Sequence, residues 1–181
     1  MKEGIFMNLK KISPENAEFN VFKKIGSDWM LISACDESRT DKKLNTMTAS
    51  WGGFGVLWGK NVFFCFIRPQ RFTKEFIDAS NTISLSFFNE SYRQALTKCG
   101  KLSGRDCDKI SEAGLTPYIE NNAVFFKEAS VTIVGKKLFA QYIDKNSFID
   151  KSIIDSCYSA GDFHEMYVCE ITGIYKSDND M

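Results

Sequence analysis

Residues 45–55 read NTMTASWGGFG, and the purpose of this stretch decides the fold. It sets an amide, a thioether, small hydroxyls and an indole ahead of three glycines. One glycine suffices for a tight turn, and a core strand carries few hydroxyls. Small side chains and bare backbone together suit a strand against which a flat body with a polar edge can lie close.

The flanking residues narrow the reading. GFGVLW (residues 53–58) begins like a dinucleotide fingerprint, but its last position is Trp58 and no strand–helix–strand unit surrounds it. A bulged or bent strand accounts better for Gly52, Gly53 and Gly55. Upstream, WMLISACD (29–36) is short, apolar and bounded by polar residues, as a strand is. NVFFCFI (61–67) is aromatic and β-branched and stops at Arg68-Pro69. TISLSFF (82–88) alternates Ile83, Leu85 and Phe87 with Thr82, Ser84 and Ser86, the period of a half-buried strand. AVFFKEASVTIV and KKLFAQYI predict two strands joined near Gly135, and EMYVCEITGIY (165–175) predicts a last long one.

The predicted helices are short. Thr73 is placed to cap KEFIDA, which stops at Ser80-Asn81. Ser91 is placed to cap YRQALTKC, where Tyr92, Ala95, Leu96 and Cys99 share one face and Gly100 closes the helix. A third is expected over 152–158. Six or seven strands with a few short helices predict a mainly β barrel, not a doubly wound sheet.

The 181 residues fit a single domain spanning 1–181, with 1–25 and 176–181 peripheral. Lys plus Arg and Asp plus Glu both total 23, which argues against nucleic-acid binding. The longest apolar run, 62–67, falls far short of the roughly 20 residues needed to span a bilayer. No sustained apolar segment opens the chain, so no membrane association and a cytoplasmic location are expected. None of the six cysteines forms a C-x-x-C pair, and the single His164 gives no zinc-site spacing. Free, buried thiols in a reducing compartment are expected.

Two motifs carry chemistry. In RPQRFTKEF (68–76) a strand ends, two arginines follow three apart and a helix opens. Helix starts offer free N–H groups and arginine a fixed charged fork, which together suit a phosphate. Two surface arginines beside an ordinary cap are the alternative. SGRDCDK (103–109) adds Arg105 or Lys109 to an anion site, or forms a salt-bridged turn. His164 has no identifiable partner, and no catalytic triad is legible.

In this order and spacing, NTMTASWGGFGVLW, RPQRFTKEFI, TISLSFF, SGRDCDK and HEMYVCEI resemble the flavin reductase-like, FMN-binding split-barrel proteins, the flavoredoxin branch most closely. The resemblance runs from about residue 29 to 175. It implies an FMN-binding Greek-key split β-barrel with a few short helices, acting as a homodimer with FMN at the interface. It implies that Asn45, Thr46, Met47, Thr48, Ala49, Ser50 and Trp51 line the isoalloxazine and ribityl chain. Arg68, Arg71 and Thr73 would hold the phosphate side, Phe72 and Lys109 would add cofactor contacts, and His164 would lie near the flavin's open face. Where many relatives have Gly, this chain has Cys169, which narrows the site or repacks a strand.

The implied function is an oxidoreductase passing electrons through FMN from NADH or NADPH, which would stack only transiently, or from a redox protein partner. An alternative is an electron carrier without nicotinamide activity of its own. A barrel that binds no flavin and a pyridoxine-phosphate-oxidase-like barrel are further alternatives.

Overall fold

The computed structural model describes residues 9–177. Residues 1–8 and 178–181, parts of the termini expected to be peripheral, lie outside the described residues. The strands are β1 (Leu9–Ile12), β2 (Met30–Cys35), β3 (Leu44–Ala49), β4 (Gly52–Leu57), β5 (Lys60–Ile67), β6 (Thr82–Phe87), β7 (Pro117–Glu120), β8 (Ala123–Phe126), β9 (Val131–Tyr142) and β10 (Glu165–Ser177). The helices are α1 (Phe72–Ala79), α2 (Arg93–Lys101), α3 (Lys109–Glu112) and α4 (Ser152–Cys157).

One antiparallel sheet runs β3-β2-β6-β9-β10-β5-β4, with β1 also on β10, and β7-β8 form a separate hairpin. The outermost strands of that order, β3 and β4, are consecutive in the chain and joined only by Ser50 and Trp51. A two-residue link cannot cross a flat sheet of this width, so the sheet curls until its edges meet. Among the described residues no hydrogen-bonded ladder joins β3 to β4, so the barrel is split there. The split falls within the stretch quoted at the outset. Gly52 begins β4 at φ +155, where an added Cβ would stand 2.6 Å from the carbonyl oxygen of Phe64. Only glycine makes this corner without strain.

Strand alternation feeds two cores. From β2, Met30, Ile32 and Ala34 enter the barrel with Phe63, Phe76, Leu85, Phe87 and Tyr167. Leu31 and Cys35 face a second core with Leu96, Cys99, Ile110, Val124 and Phe126, under α2, α3 and the hairpin. Each fully buried large side chain contributes about 1.5–3 kcal/mol. The stretch before residue 25 adds Ile12, Phe19 and Val21 against the barrel core, and Ile25 is buried in it.

Several local expectations are corrected. β4 pairs with β5 from Gly52↔Cys65 to Leu57↔Lys60 without a bulge. The irregularities lie instead where β10 meets β9, at Val168/Cys169 and Ile171/Gly173. The chain over 123–134 breaks between β8 and β9, and Gly135 lies inside β9 rather than at a joint. The serine face of β6 is buried, because β8 covers it and the Val124 N–H donates to Ser84 Oγ at 3.0 Å. Thr73 does not cap α1: it is buried one residue inside the helix, and Arg71 holds the cap position. α2 starts at Arg93, after a 3₁₀ turn that contains Ser91, and runs through Gly100 to Lys101.

Candidate functional site

The end of β5, the start of α1 and the C-terminal end of α2 converge on a cavity of about 420 Å³. Its walls include Arg68, Arg71, Lys101 and Lys109 against a single carboxylate, Asp162. Arg68 is engaged: it forms an ion pair with Asp162 and donates to the carbonyl oxygen of Cys157 at 2.9 Å. Among the described residues, Arg71, Lys101 and Lys109 have no carboxylate partner. Arg71 Nη1 donates to the carbonyl oxygen of Gly100 at 2.8 Å. Lys109 Nζ donates to those of Cys99 and Leu102 at 3.2 and 3.3 Å. The Cys99 and Gly100 carbonyls belong to the last turn of α2, the negative end of its dipole, and Leu102 is its C-cap residue.

Lys109 is 4% exposed. Burial, reinforced by the Arg71 and Lys42 charges, pulls its ammonium down to about 8. Behind the cavity, buried Asn45 donates from Nδ2 to Thr73 Oγ1 at 3.2 Å, tying β3 to α1. Gly104 presses on this pair: a Cβ there would stand 2.7 Å from Asn45 Oδ1 and 3.0 Å from Phe72 Cδ1. The Phe72 ring lies under the guanidinium groups of Arg39 and Arg105, at 5.4 and 4.7 Å. Both arginines bond Glu75, so Arg105 serves a salt-bridged turn while Lys109 lines the cavity.

An aromatic shoulder adjoins the cavity. Trp51 is 42% exposed, and its ring centroid lies 4.9 Å from that of His164. His164 is buried, and its Nδ1 is 3.0 Å from Tyr158 Oη. Burial, then the Arg68 charge, lowers its pKa to about 4, so the ring is neutral near pH 7. Arg68 joins shoulder and cavity, its guanidinium 5.3 Å over the Tyr158 ring.

The structure thus gathers Arg68, Arg71, Phe72, Thr73 and Lys109 around one cavity, with Asn45 behind Thr73 and Trp51 beside His164. Side chains of the middle of β3 are committed elsewhere. Thr46 Oγ1 accepts from Ser33 Oγ at 2.7 Å and donates to the Ile32 carbonyl oxygen. Met47 is in the barrel core, and the Thr48 hydroxyl bonds the Leu96 carbonyl oxygen. Ala49 packs on the barrel core, leaving half-buried Ser50 and exposed Trp51 at the split. Lys101 escaped the sequence reading, because a lysine in a last helical turn is ordinary. The arrangement suits an anionic group in the cavity and a flat body against the shoulder.

No family model and no curated protein matches the chain. Solved structures share its fold. An FMN-binding domain of a flavin reductase-like enzyme from Shewanella baltica superposes with TM-score 0.65 at 13% identity, covering 97% of this chain and 80% of that one. Flavoredoxin of Desulfovibrio vulgaris gives 0.64 at 18% identity, covering 93% and 78%. A Shewanella frigidimarina protein with a split barrel domain gives 0.64 at 21% identity, covering 92% and 80%. The chain has the split β-barrel fold expected from its sequence.

Proposed function

We propose that this protein binds FMN along the split and acts as a flavin reductase-like oxidoreductase, passing electrons from a reduced nicotinamide or a protein donor to an acceptor. One observation carries the reading. Three cations that have no carboxylate partner among the described residues line a cavity at the start of α1, beside an exposed aromatic shoulder. A phosphate monoester carries close to two negative charges at neutral pH. Arg71, Lys101, Lys109 and the first turn of α1 fit that charge and its oxygens. Ser50, Trp51, the backbone entering β4 and the neutral His164 fit a flat ring. The FMN-binding and flavoredoxin titles of structures sharing the fold support the same reading.

Bound FMN would supply the hydride and electron chemistry. The chain's own part is to grip the tail, cover one edge of the ring with Trp51 and offer backbone groups rather than charges beside it. In β3, Thr46, Met47 and Thr48 serve this indirectly, by fixing the strand between two cores.

The reading includes a homodimer. Val56, Leu57, Trp58, Leu138 and Phe139 are exposed, and the Trp58 and Phe139 rings lie 6.3 Å apart. A second copy would cover this apolar face and deepen a shallow flavin groove. All six cysteines are free, four of them buried and Cys107 and Cys157 half-buried, which accords with a cytoplasmic setting. Among the described residues no helix is long and apolar enough to cross a membrane.

The test is a visible spectrum of the purified protein before and after FMN, then anaerobic NADH and NADPH. Flavin retention with bleaching by nicotinamide is the expected result. Retention without bleaching, with reduction by dithionite, would assign the carrier role instead. A protein that stays colourless with FMN refutes the reading.

A further inference from the structure

The chain's formal charge is zero, yet positive charge gathers around a second cavity, of about 550 Å³. Lys42, Lys43 and Lys109 line it, facing an apolar wall that includes Leu44, Leu115 and Pro117. Its one lining carboxylate, Asp108, is occupied: Oδ1 accepts the Ser111 N–H at 3.2 Å as the cap of α3. Lys42 Nζ donates to the carbonyl oxygens of Gly104 and, at 3.1 Å, Cys107. Lys43 is exposed and has no ion pair among the described residues. Of the residues lining the two cavities, only Lys109 borders both.

Lysines without acid partners around a concave space hold a surplus that an anion neutralises, and the apolar wall rewards a ligand with a flat body. We propose that this second cavity is a binding site for a phosphate monoester carrying a flat ring with apolar faces, of the nucleoside monophosphate class. Lys42 and Lys43 contact the phosphate, and Leu44, Leu115 and Pro117 contact the body. The site does not rest on the flavin reading, because all but one of its lining residues lie outside the first cavity.

Calorimetric titration of AMP into the full chain tests it, with FMN titrated in parallel. Lys43→Ala removes a charge that has no ion-pair partner among the described residues, so the loop keeps its shape. It should weaken AMP about tenfold and leave FMN unchanged. Lys42→Ala should weaken AMP at least as much. Lys101→Ala, which borders only the first cavity, should leave AMP unchanged. Absence of AMP binding, or an unchanged AMP affinity in Lys43→Ala, overturns the site. An equal AMP loss in Lys101→Ala places AMP in the first cavity and also overturns it. Inorganic phosphate binding as tightly as AMP overturns the role of the apolar wall. A protein that binds AMP but not FMN refutes the flavin reading alone.

Discussion

Raising the pH from 7 to 9 should weaken FMN binding while leaving riboflavin binding nearly untouched. The perturbation acts on Lys109, whose ammonium burial holds at about 8. About nine in ten of these side chains are then charged at pH 7 and about one in ten at pH 9. The flavin phosphate, with a second pKa near 6, is already doubly charged across this range. Cys99, whose carbonyl oxygen Lys109 contacts, has its thiol raised by burial to about 11 and stays neutral. If the bound phosphate requires a charged Lys109, the dissociation constant rises about tenfold over these two units. Above pH 8, binding takes up a proton. Flavin fluorescence titrations at pH 7, 8 and 9 read the slope, and Lys109→Arg should flatten it because a guanidinium does not titrate there. An FMN affinity that stays level, or a riboflavin slope as steep as that of FMN, would refute the reasoning.

Three further outcomes are expected. Arg71→Ala should weaken FMN by about tenfold or more through loss of charge-assisted bonds, with little effect on riboflavin; equal losses would show that Arg71 does not touch the phosphate. His164 should make stability depend on acid, since its folded pKa of about 4 lies below the ordinary 6.5. The unfolded chain takes up that proton first, so the contribution is complete above pH 6.5 and lost as pH falls toward 4. It amounts to roughly 3 kcal/mol, and His164→Phe should lessen the fall in Tm between pH 7 and 4.5, whereas parallel curves would count against it. Phe139→Asp should yield a monomer by size-exclusion with light scattering and abolish FMN retention; a monomer that holds FMN tightly would sink the shared-site reading.

Strands were legible where alternation and turn chemistry were both strong. Residues 29–36, 61–67 and 82–88 fold as β2, β5 and β6, close to their expected limits. β3 and β4 were harder, because small polar residues and glycines carry weak strand preference. Thr73 misled as a cap because its hydroxyl has a partner 28 residues away, Asn45, which no local rule sees. The serines of β6 looked solvent-facing for the same reason: the hairpin that buries them arrives from residues 117–126. Of the site, Arg68, Arg71, Phe72 and Thr73 were legible as one local motif. Lys101 was not, since a lysine at a helix end becomes informative only when a cavity lies beside it.

What the chain determines by itself is chemical and short-range: which segments extend, which residues carry fixed charge, and that one stretch holds small groups and bare backbone. Burial decided the rest. Packing committed the side chains of Thr46, Met47 and Thr48 to the two sides of β3, leaving Trp51 exposed at the split. Packing also stripped Lys109 of solvent with no acid partner among the described residues, and burial pulls its ammonium from the usual lysine range down to about 8. Such effects depend on dielectric and distance, and neither exists until remote segments meet.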